Sequence, residues 1–444
     1  MGAFIKEVLE NKKKLLSRLW GELRPGAGKE PGPQRNLFLH LHPARVYRQS
    51  LRFSATFGLG VISLALLLLL VGTGVMLMFF YQPSAAQAYQ SLQDIQYAVP
   101  WGRVVRAMHR WAGHALVACV FLHFLRVAFS AAWRKRELNW VIGLGQGALV
   151  LGLAFTGYLL PWDQLSYWAV RVASGMLDNF AAPGRWLKQF LLGSDEVGPA
   201  ALLRFYTLHV ALLPAALMTL GLLHIWRIRR DGGLAREQQP LPEELVPAWP
   251  SLVLREAALA AAVVLVVFAV AIFIPAPLGQ PLDSSTPSNP EKAPWYFLGL
   301  QEMVSHSAAW GGVIFPLVLF LLLLFLPWLD RADEGVGALG GNRRLRLAIA
   351  ASAGLAALAL SLGEWLWAAR SGPVSEALSP PAIMLYFSLL VFLAAGYLSG
   401  STRGAFFSWL AFLLTAVVGF TLVGILRGPD WKFFWPGEGW PGGL

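Results

Sequence analysis

Apolar stretches alternate with shorter polar ones along this chain, and nine are long enough to cross a bilayer: 53–80, 109–131, 141–161, 204–226, 255–275, 312–329, 345–368, 381–399 and 405–426. About twenty apolar residues in helical form span the hydrocarbon layer. The pattern therefore predicts an all-α fold, a polytopic transmembrane helical bundle of about nine spans. The polar stretch 227–254, "RIRRDGGLAREQQPLPEELVPAWPSLVL", divides it into four spans before and five after. Loops 81–108 and 161–203 contain amphipathic pieces, "SAAQAYQSLQDIQYAV" and "WDQLSYWAVRVASGML", expected to lie along the surface. Loops 275–295 and 371–381 are rich in proline. No repeat relates the two halves.

Composition agrees, since 56% of the 444 residues are hydrophobic and only 14% are charged, where a soluble protein carries roughly a quarter. The formal charge of +11 suggests nucleic acid until its distribution is read. With the N-terminus inside, the inner segments hold 24 Lys/Arg, 11 of them up to Arg52, and the outer segments hold 10. That asymmetry is the positive-inside rule. It predicts a cytoplasmic N-terminus, puts the tail "RGPDWKFFWPGEGWPGGL" on the outer side, and removes the reason to expect nucleic acid. The 52 residues before the first span are too long and too charged for a cleavable signal. Within them 4–23, "FIKEVLENKKKLLSRLWGEL", gathers Phe4, Val8, Leu15, Leu16, Leu19 and Leu23 near one face with lysines opposite. This predicts an interfacial helix on membrane lipids; a disordered basic tail is the other reading. The single cysteine, Cys119, lies inside a span. Disulfides, thiolate iron–sulfur clusters and a CxxCH haem attachment are thereby excluded within this chain.

Ionisable residues inside a membrane are rare and point to function. Of eight histidines, His40 and His42 lie in the polar tail and His306 is placed in an outer loop. The other five fall in spans, three of them in 108–127, "MHRWAGHALVACVFLHFLRV". On a helix His109 and His123 differ by about 40° in direction and about 21 Å in height. His209 and His224 differ by about 60° and about 22 Å, with Pro214 between them to adjust the helix. The second and fourth spans run the same way, so His109 faces His209 near one surface and His123 faces His224 near the other. Two imidazoles per level leave four metal positions to be filled, and a porphyrin fills them: two bis-histidine b haems for electron transfer. His114 points about 140° from His109 and about 180° from His123, and is read as a structural hydrogen-bonder.

Glycines repeat the histidine period. Gly60 and Gly74 are 14 apart in the first span, as are Gly143 and Gly157 in the third, and a macrocycle between helices needs a neighbour without a side chain. Arg106 and Arg110 beside His109, and Arg126 beside His123, suit haem propionates by charge; interfacial snorkelling is the alternative.

These residues carry a resemblance. "TGVMLMFFYQPSAAQAYQSLQDI", "RAMHRWAGH", "FTGYLLPWDQLSYWAV" and "LLRFYTLHVALLP" are similar to segments of cytochrome b of the quinol-oxidising bc1/b6f complexes, most of all the b6f form. The likeness is dense over 50–235, continues through "NPEKAPWYFLGLQEM", and is weak beyond about 345. It implies that His109 and His209 ligate an outer, low-potential haem, and His123 and His224 an inner one. It also implies an outer quinol site lined by Gly157, Tyr158, Pro161, Trp162, Asp163, Pro294, Trp295 and Tyr296. In that family quinol gives one electron to a Rieske-type iron–sulfur protein, which passes it to a c-type cytochrome or plastocyanin-like acceptor. The other goes to the outer haem, crosses to the inner one and reduces quinone, and protons leave on the outer side. Other complex subunits and a homodimer of the complex are implied as partners. The chain then divides into a basic tail (1–52), a dihaem four-helix domain (53–230), a linker (231–254), a second cytochrome b domain with the quinol-site loop (255–344), and extra spans with an outer tail (345–444).

Three departures from the family stand out. The family's loop reads PEWY, with a proton-accepting glutamate, where this chain has Ala293, Pro294, Trp295 and Tyr296. Asp163 and Glu302 are substitutes by chemistry, with Tyr296 beside them as a catalytic candidate and Glu291 and His306 behind. The cysteine that attaches an extra haem in the b6f form falls at Gly58, so no covalent haem is expected. The family's two b6f chains are fused here and extended. Arg227 and Arg229 are candidates for the inner quinone site. Two rival readings stay open: a non-bifurcating dihaem conduit between quinol and a peripheral partner, and a transporter or assembly scaffold without cofactor.

Overall fold

The computed structural model describes residues 45–234, 244–286, 289, 291–329, 343–369, 375–399 and 402–434. The helix expected over 4–23, His40, His42 and the end of the tail lie outside the described residues.

Among these residues nine helices are long and apolar enough to cross a membrane. In chain order they and the shorter helices between them are α1 (Leu59–Met78), α2 (Ala88–Tyr97), α3 (Gly102–Phe129), α4 (Glu137–Leu159), α5 (Gln164–Met176) and α6 (Ala181–Leu192). There follow α7 (Pro199–Arg230), α8 (Ser251–Phe273), α9 (Trp295–His306), α10 (Trp310–Leu329), α11 (Arg343–Ala369), α12 (Pro380–Ser399) and α13 (Thr402–Ile425). The spans are α1, α3, α4, α7, α8, α10, α11, α12 and α13. The protein is an all-α polytopic membrane bundle. Among the described residues the one sheet is a two-stranded antiparallel pair, Arg45–Tyr47 with Leu245–Pro247, which ties the entry to α1 to the entry to α8.

Helix starts follow local chemistry more than hydropathy. The second span begins at Gly102, seven residues before its apolar run, because Trp101 turns the chain in the left-handed region (φ 61°) against α2. A Cβ on Gly102 would lie 2.1 Å from the Ile95 carbonyl oxygen, so glycine there permits α2 to close on α3. Gly58 precedes α1 at φ +63°, and a Cβ on it would lie 2.3 Å from Leu259 Cδ2 of α8. Backbone conformation and packing both select glycine at this position.

Two helices contain a π turn, Leu208–Leu212 in α7 and Trp310–Ile314 in α10, and a proline, Pro214 or Pro316, follows each. Proline has no N–H to donate, and the wider turn absorbs an extra residue. In α7 this resets the phase: the 15-residue step from His209 to His224 takes up one residue in the π turn and behaves as the 14-residue step of α3.

Among the described residues, three larger apolar clusters organise the bundle, beside a small one of Ala107, Ala271 and Ala276. Leu66, Ala112, Leu116, Val117, Val150 and Leu217 fill the centre of the α1, α3, α4, α7 group. Tyr81, Ile95, Trp162, Tyr167, Leu202 and Phe205 bind the surface helices to the span ends. The largest cluster joins Trp133 and Trp140 at the α3–α4 turn to Phe315, Phe407, Phe412 and Phe420, so α11–α13 share a core with the first half. Trp140 Nε1 donates across it to the Leu323 carbonyl at 2.7 Å.

Replacing Gly58 by alanine forces left-handed strain and displaces Leu259. We expect a loss of about 1–3 kcal/mol, read as a lower thermal midpoint of the purified protein.

Candidate functional site

The histidine pairs face one another across α3 and α7. The ring centroids of His109 and His209 lie 6.2 Å apart with planes at 72°; those of His123 and His224 lie 6.4 Å apart at 79°. A metal about 2 Å from one nitrogen of each ring separates the ring centres by about 6 Å. Each pair is thus spaced for one ion with two axial imidazoles.

Two threonines orient the first pair. Thr73 Oγ1 donates to the Leu69 carbonyl (2.7 Å) and lies 2.9 Å from His109 Nδ1. Thr156 Oγ1 donates to the Gly152 carbonyl (2.8 Å) and lies 3.2 Å from His209 Nδ1, which also meets the Leu153 carbonyl at 3.1 Å. With the hydroxyl protons spent on carbonyls, both Nδ1 atoms donate, and each neutral ring keeps its lone pair on Nε2. That is the tautomer a metal ligand needs. At the second level His123 Nδ1 and His224 Nδ1 are buried with no hydrogen-bond partner.

Glycines line three of the four imidazoles. A Cβ would stand 2.5 Å from His209 Cε1 at Gly157, 3.3 Å from His109 Cε1 at Gly74 and 3.6 Å from His224 Cε1 at Gly143. A Cβ on Gly60 would touch nothing within 4 Å. Donor set, spacing and glycine cradles together fit two porphyrins held by imidazole. Two of the three arginines expected at propionates have other partners. Arg106 donates to the carbonyls of Ala276 (2.8 Å) and Pro277 (2.7 Å) and to Gln96. Arg126 donates to the Ala55 carbonyl at 2.7 Å. Arg110 Nε is buried without a partner, and Arg227 pairs with Asp231 at 3.0 Å.

The "PWDQ" segment is a dock for the loop after α8. Asp163 caps α5 by accepting from Ser166 N at 3.0 Å, and its other oxygen accepts from Gly279 N at 2.9 Å. Gln164 accepts from Asp283 N at 2.8 Å and donates to the Thr286 carbonyl. Both Asp163 oxygens are engaged, so the geometry makes it an anchor. Trp162 is buried at φ 51°, and Pro161 is half-buried beside it. Beyond the dock, Pro294 caps α9. Tyr296 packs on His114 with centroids 5.5 Å apart, and Trp295 Nε1 donates to His114 Nδ1 at 3.1 Å. Burial pushes the Tyr296 phenol up in spite of the nearby Arg110 guanidinium. Tyr158 presents a buried hydroxyl without a hydrogen-bond partner. Glu291 offers its backbone carbonyl to Gln301 Nε2 at 2.6 Å.

Glu302 points elsewhere. It is fully buried, six residues and about 120° around α9 from Tyr296. Arg427 Nε donates to it at 2.9 Å and Trp431 Nε1 at 2.8 Å. His306 Nε2 lies 3.3 Å from Glu302 and 2.8 Å from Glu364 of α11. His306, placed by sequence in an outer loop, is buried at the end of α9, within the connection between the spans α8 and α10, and two carboxylates hold it there. Burial alone raises the Glu302 carboxyl, but hydrogen bonds from His306 and Arg427 outweigh it and hold the group below the usual value. Burial opposes charge on His306, yet the two glutamates reverse that and raise it. Sequence reasoning missed Glu364, Arg427, Trp431, Thr73 and Thr156. A lone glutamate in the apolar "SLGEWLW" and the Thr-Gly pairs at 73–74 and 156–157 were the available signals.

A family profile described as Cytochrome b/b6/petB matches residues 46–232. Cytochrome b6 of Synechococcus elongatus is 38% identical over 175 residues, 39% of this chain and 81% of that protein. Cytochrome b6 of a Synechocystis species is 39% identical over 175 residues, 39% of this chain and 79% of that protein. Among solved structures, a chain of a hyperthermophilic respiratory Complex III is similar with a TM-score of 0.65 and 25% identity, over 83% of this chain and 94% of that one.

Replacing Arg427 by leucine leaves Glu302 buried and under-compensated; we expect a loss of about 3–5 kcal/mol, seen in the thermal midpoint. His306, raised when folded, contributes stability below its ordinary value of 6.5 and loses it as pH rises through the raised one. The midpoint should therefore fall on alkaline titration, and His306→Gln should flatten that fall.

Proposed function

The chain belongs to the cytochrome b/b6 family and is a b-type cytochrome subunit of a bc-type complex; from that premise we propose that it oxidises quinol at one membrane face and moves electrons through two b haems to the other. The observation that carries this is the pair of facing imidazole couples, each spaced for one metal. In the couple at the α2–α5 end, His109 with His209, each Nε2 is left bare by a threonine behind Nδ1. His109 with His209, and His123 with His224, would hold the haems. When bound, each haem supplies one-electron storage. The chain's own residues fix ligand tautomer and ring angle, and the apolar centre between the levels excludes water.

At the same end, Tyr158, Pro161, Trp162, Pro294, Trp295 and Tyr296, with Arg110 behind, frame the proposed quinol site. Arg106, Asp163 and Gln164 position its loop. Glu302 acts through α9, which it locks to the last three spans. By the distribution of Lys and Arg this face is the outer one and the N-terminus is cytoplasmic, in a bacterial-type energy-transducing membrane. One electron goes to a Rieske-type iron–sulfur partner and on to a c-type cytochrome. The other crosses the chain to reduce quinone, protons are released outside, and the complex is a homodimer.

The second reading, a non-bifurcating conduit, draws support from Pro294 standing where the family has its glutamate and from the engagement of Asp163 and Glu302. A conduit would not need the loop docked by Arg106, Asp163 and Gln164, which favours the first.

His224→Ala should remove one of two b-haem steps in a redox titration and spare the other, and His209→Ala should remove the complementary step. Retention of both steps in either variant contradicts the assignment.

A further inference from the structure

His114 is the histidine of α3 that faces neither metal level, and it lies against the start of α9. The Trp295 indole N–H donates to its Nδ1 at 3.1 Å, and its ring centroid lies 5.5 Å from those of both Tyr296 and Trp111. An indole N–H only donates, so Nδ1 is the accepting nitrogen and the neutral ring carries its proton on Nε2. A basic lone pair thus meets the loop proposed to take quinol. Trp295, whose indole covers it, is 46% exposed and belongs to none of the apolar clusters among the described residues.

Of the other carboxylates near this loop, Glu291 lies close enough to act on Tyr158, and two are engaged. Pro294, at the position of the family's glutamate, has no ionisable group. Asp163 has both oxygens on backbone amides. Glu302 is turned into its pairing with Arg427 and Trp431.

We propose that His114 is the first proton acceptor for the quinol, an inference that rests on the quinol-oxidising reading. The quinol hydroxyl replaces the indole as donor to Nδ1. Its O–H bond breaks as an N–H bond forms on Nδ1, giving the imidazolium, and the proton on Nδ1 leaves for water as the product departs, which restores the starting tautomer. The proton of the second hydroxyl also goes to water. The two electrons depart singly, one to the partner's iron–sulfur centre and one to the haem that His109 and His209 would hold. Arg110 on the same helix and Tyr296 on α9 are the titratable groups that face the ring. A proton taken up beside the Arg110 guanidinium is repelled, which favours passing it on over storing it.

The test uses the purified complex with decyl-benzoquinol and, separately, a short-chain naphthoquinol, comparing wild type with His114→Gln and His114→Ala. Glutamine keeps an acceptor for Trp295 but takes no proton. Both variants should retain the two-step haem titration. Their kcat should fall about 10²-fold or more, and the acidic decline of the wild-type pH–rate profile should disappear. Glutamine restoring turnover, or either variant keeping the acidic decline, overturns the proposal and leaves the quinol-oxidising reading standing. Wild type that oxidises neither quinol overturns both.

Discussion

Everything in this chain is arranged around the opposition of α3 and α7 through two pairs of imidazoles. The spacing of each pair, 6.2 and 6.4 Å between rings, is meaningful only if the helices hold their separation and rotation over about 21 Å. Regular helix does this in α3, where 14 residues separate the histidines. In α7 the interval is 15, and the π turn before Pro214 absorbs the surplus. The dry cluster of Leu66, Leu116, Val150 and Leu217 keeps the two levels apart. Glycines at 74, 143 and 157 let the neighbouring helices come up to the rings.

The same constraint explains why one end of the bundle is elaborate. A redox site in the membrane needs a loop held still over the first histidine level, and a loop in contact with lipid cannot leave its backbone unpaired. The segment 275–286 is therefore bonded from the first half by Arg106, Tyr89, Asp163 and Gln164. From the second half, Asn289 and Asp430 exchange hydrogen bonds at 2.7 Å, and Lys292 donates to the Ile425 carbonyl. The last three spans thus brace α9 through Glu302, Glu364, His306 and Arg427.

Much of the fold was legible because its signals are local. Nine apolar runs gave nine spans, and the histidine period named the two helices that face each other. What escaped were the second partners. Thr73 and Thr156 look like ordinary span residues until the carbonyls one turn back show which way their hydroxyls point. Glu302 reads as a free carboxylate near the loop until Arg427, 125 residues away, is seen to take it. Asp163 reads as a base until its helix cap and the Gly279 amide are counted. His306 reads as a loop histidine until Glu364, on a distant span, is seen beside it. Such long-range pairings leave no mark on periodicity. The family likeness is densest where cofactor geometry is set and thins over the bracing spans, whose chemistry admits many sequences.

The central claim is that this chain sends the two electrons of one quinol along separate routes. It is tested most directly by adding a pulse of oxidant to the purified complex in the presence of quinol, with the inner quinone site blocked, while following b-haem absorbance. Separate routes predict that oxidant causes transient reduction of b haem. Haem that is only oxidised by the pulse would contradict the claim and leave a simple conduit.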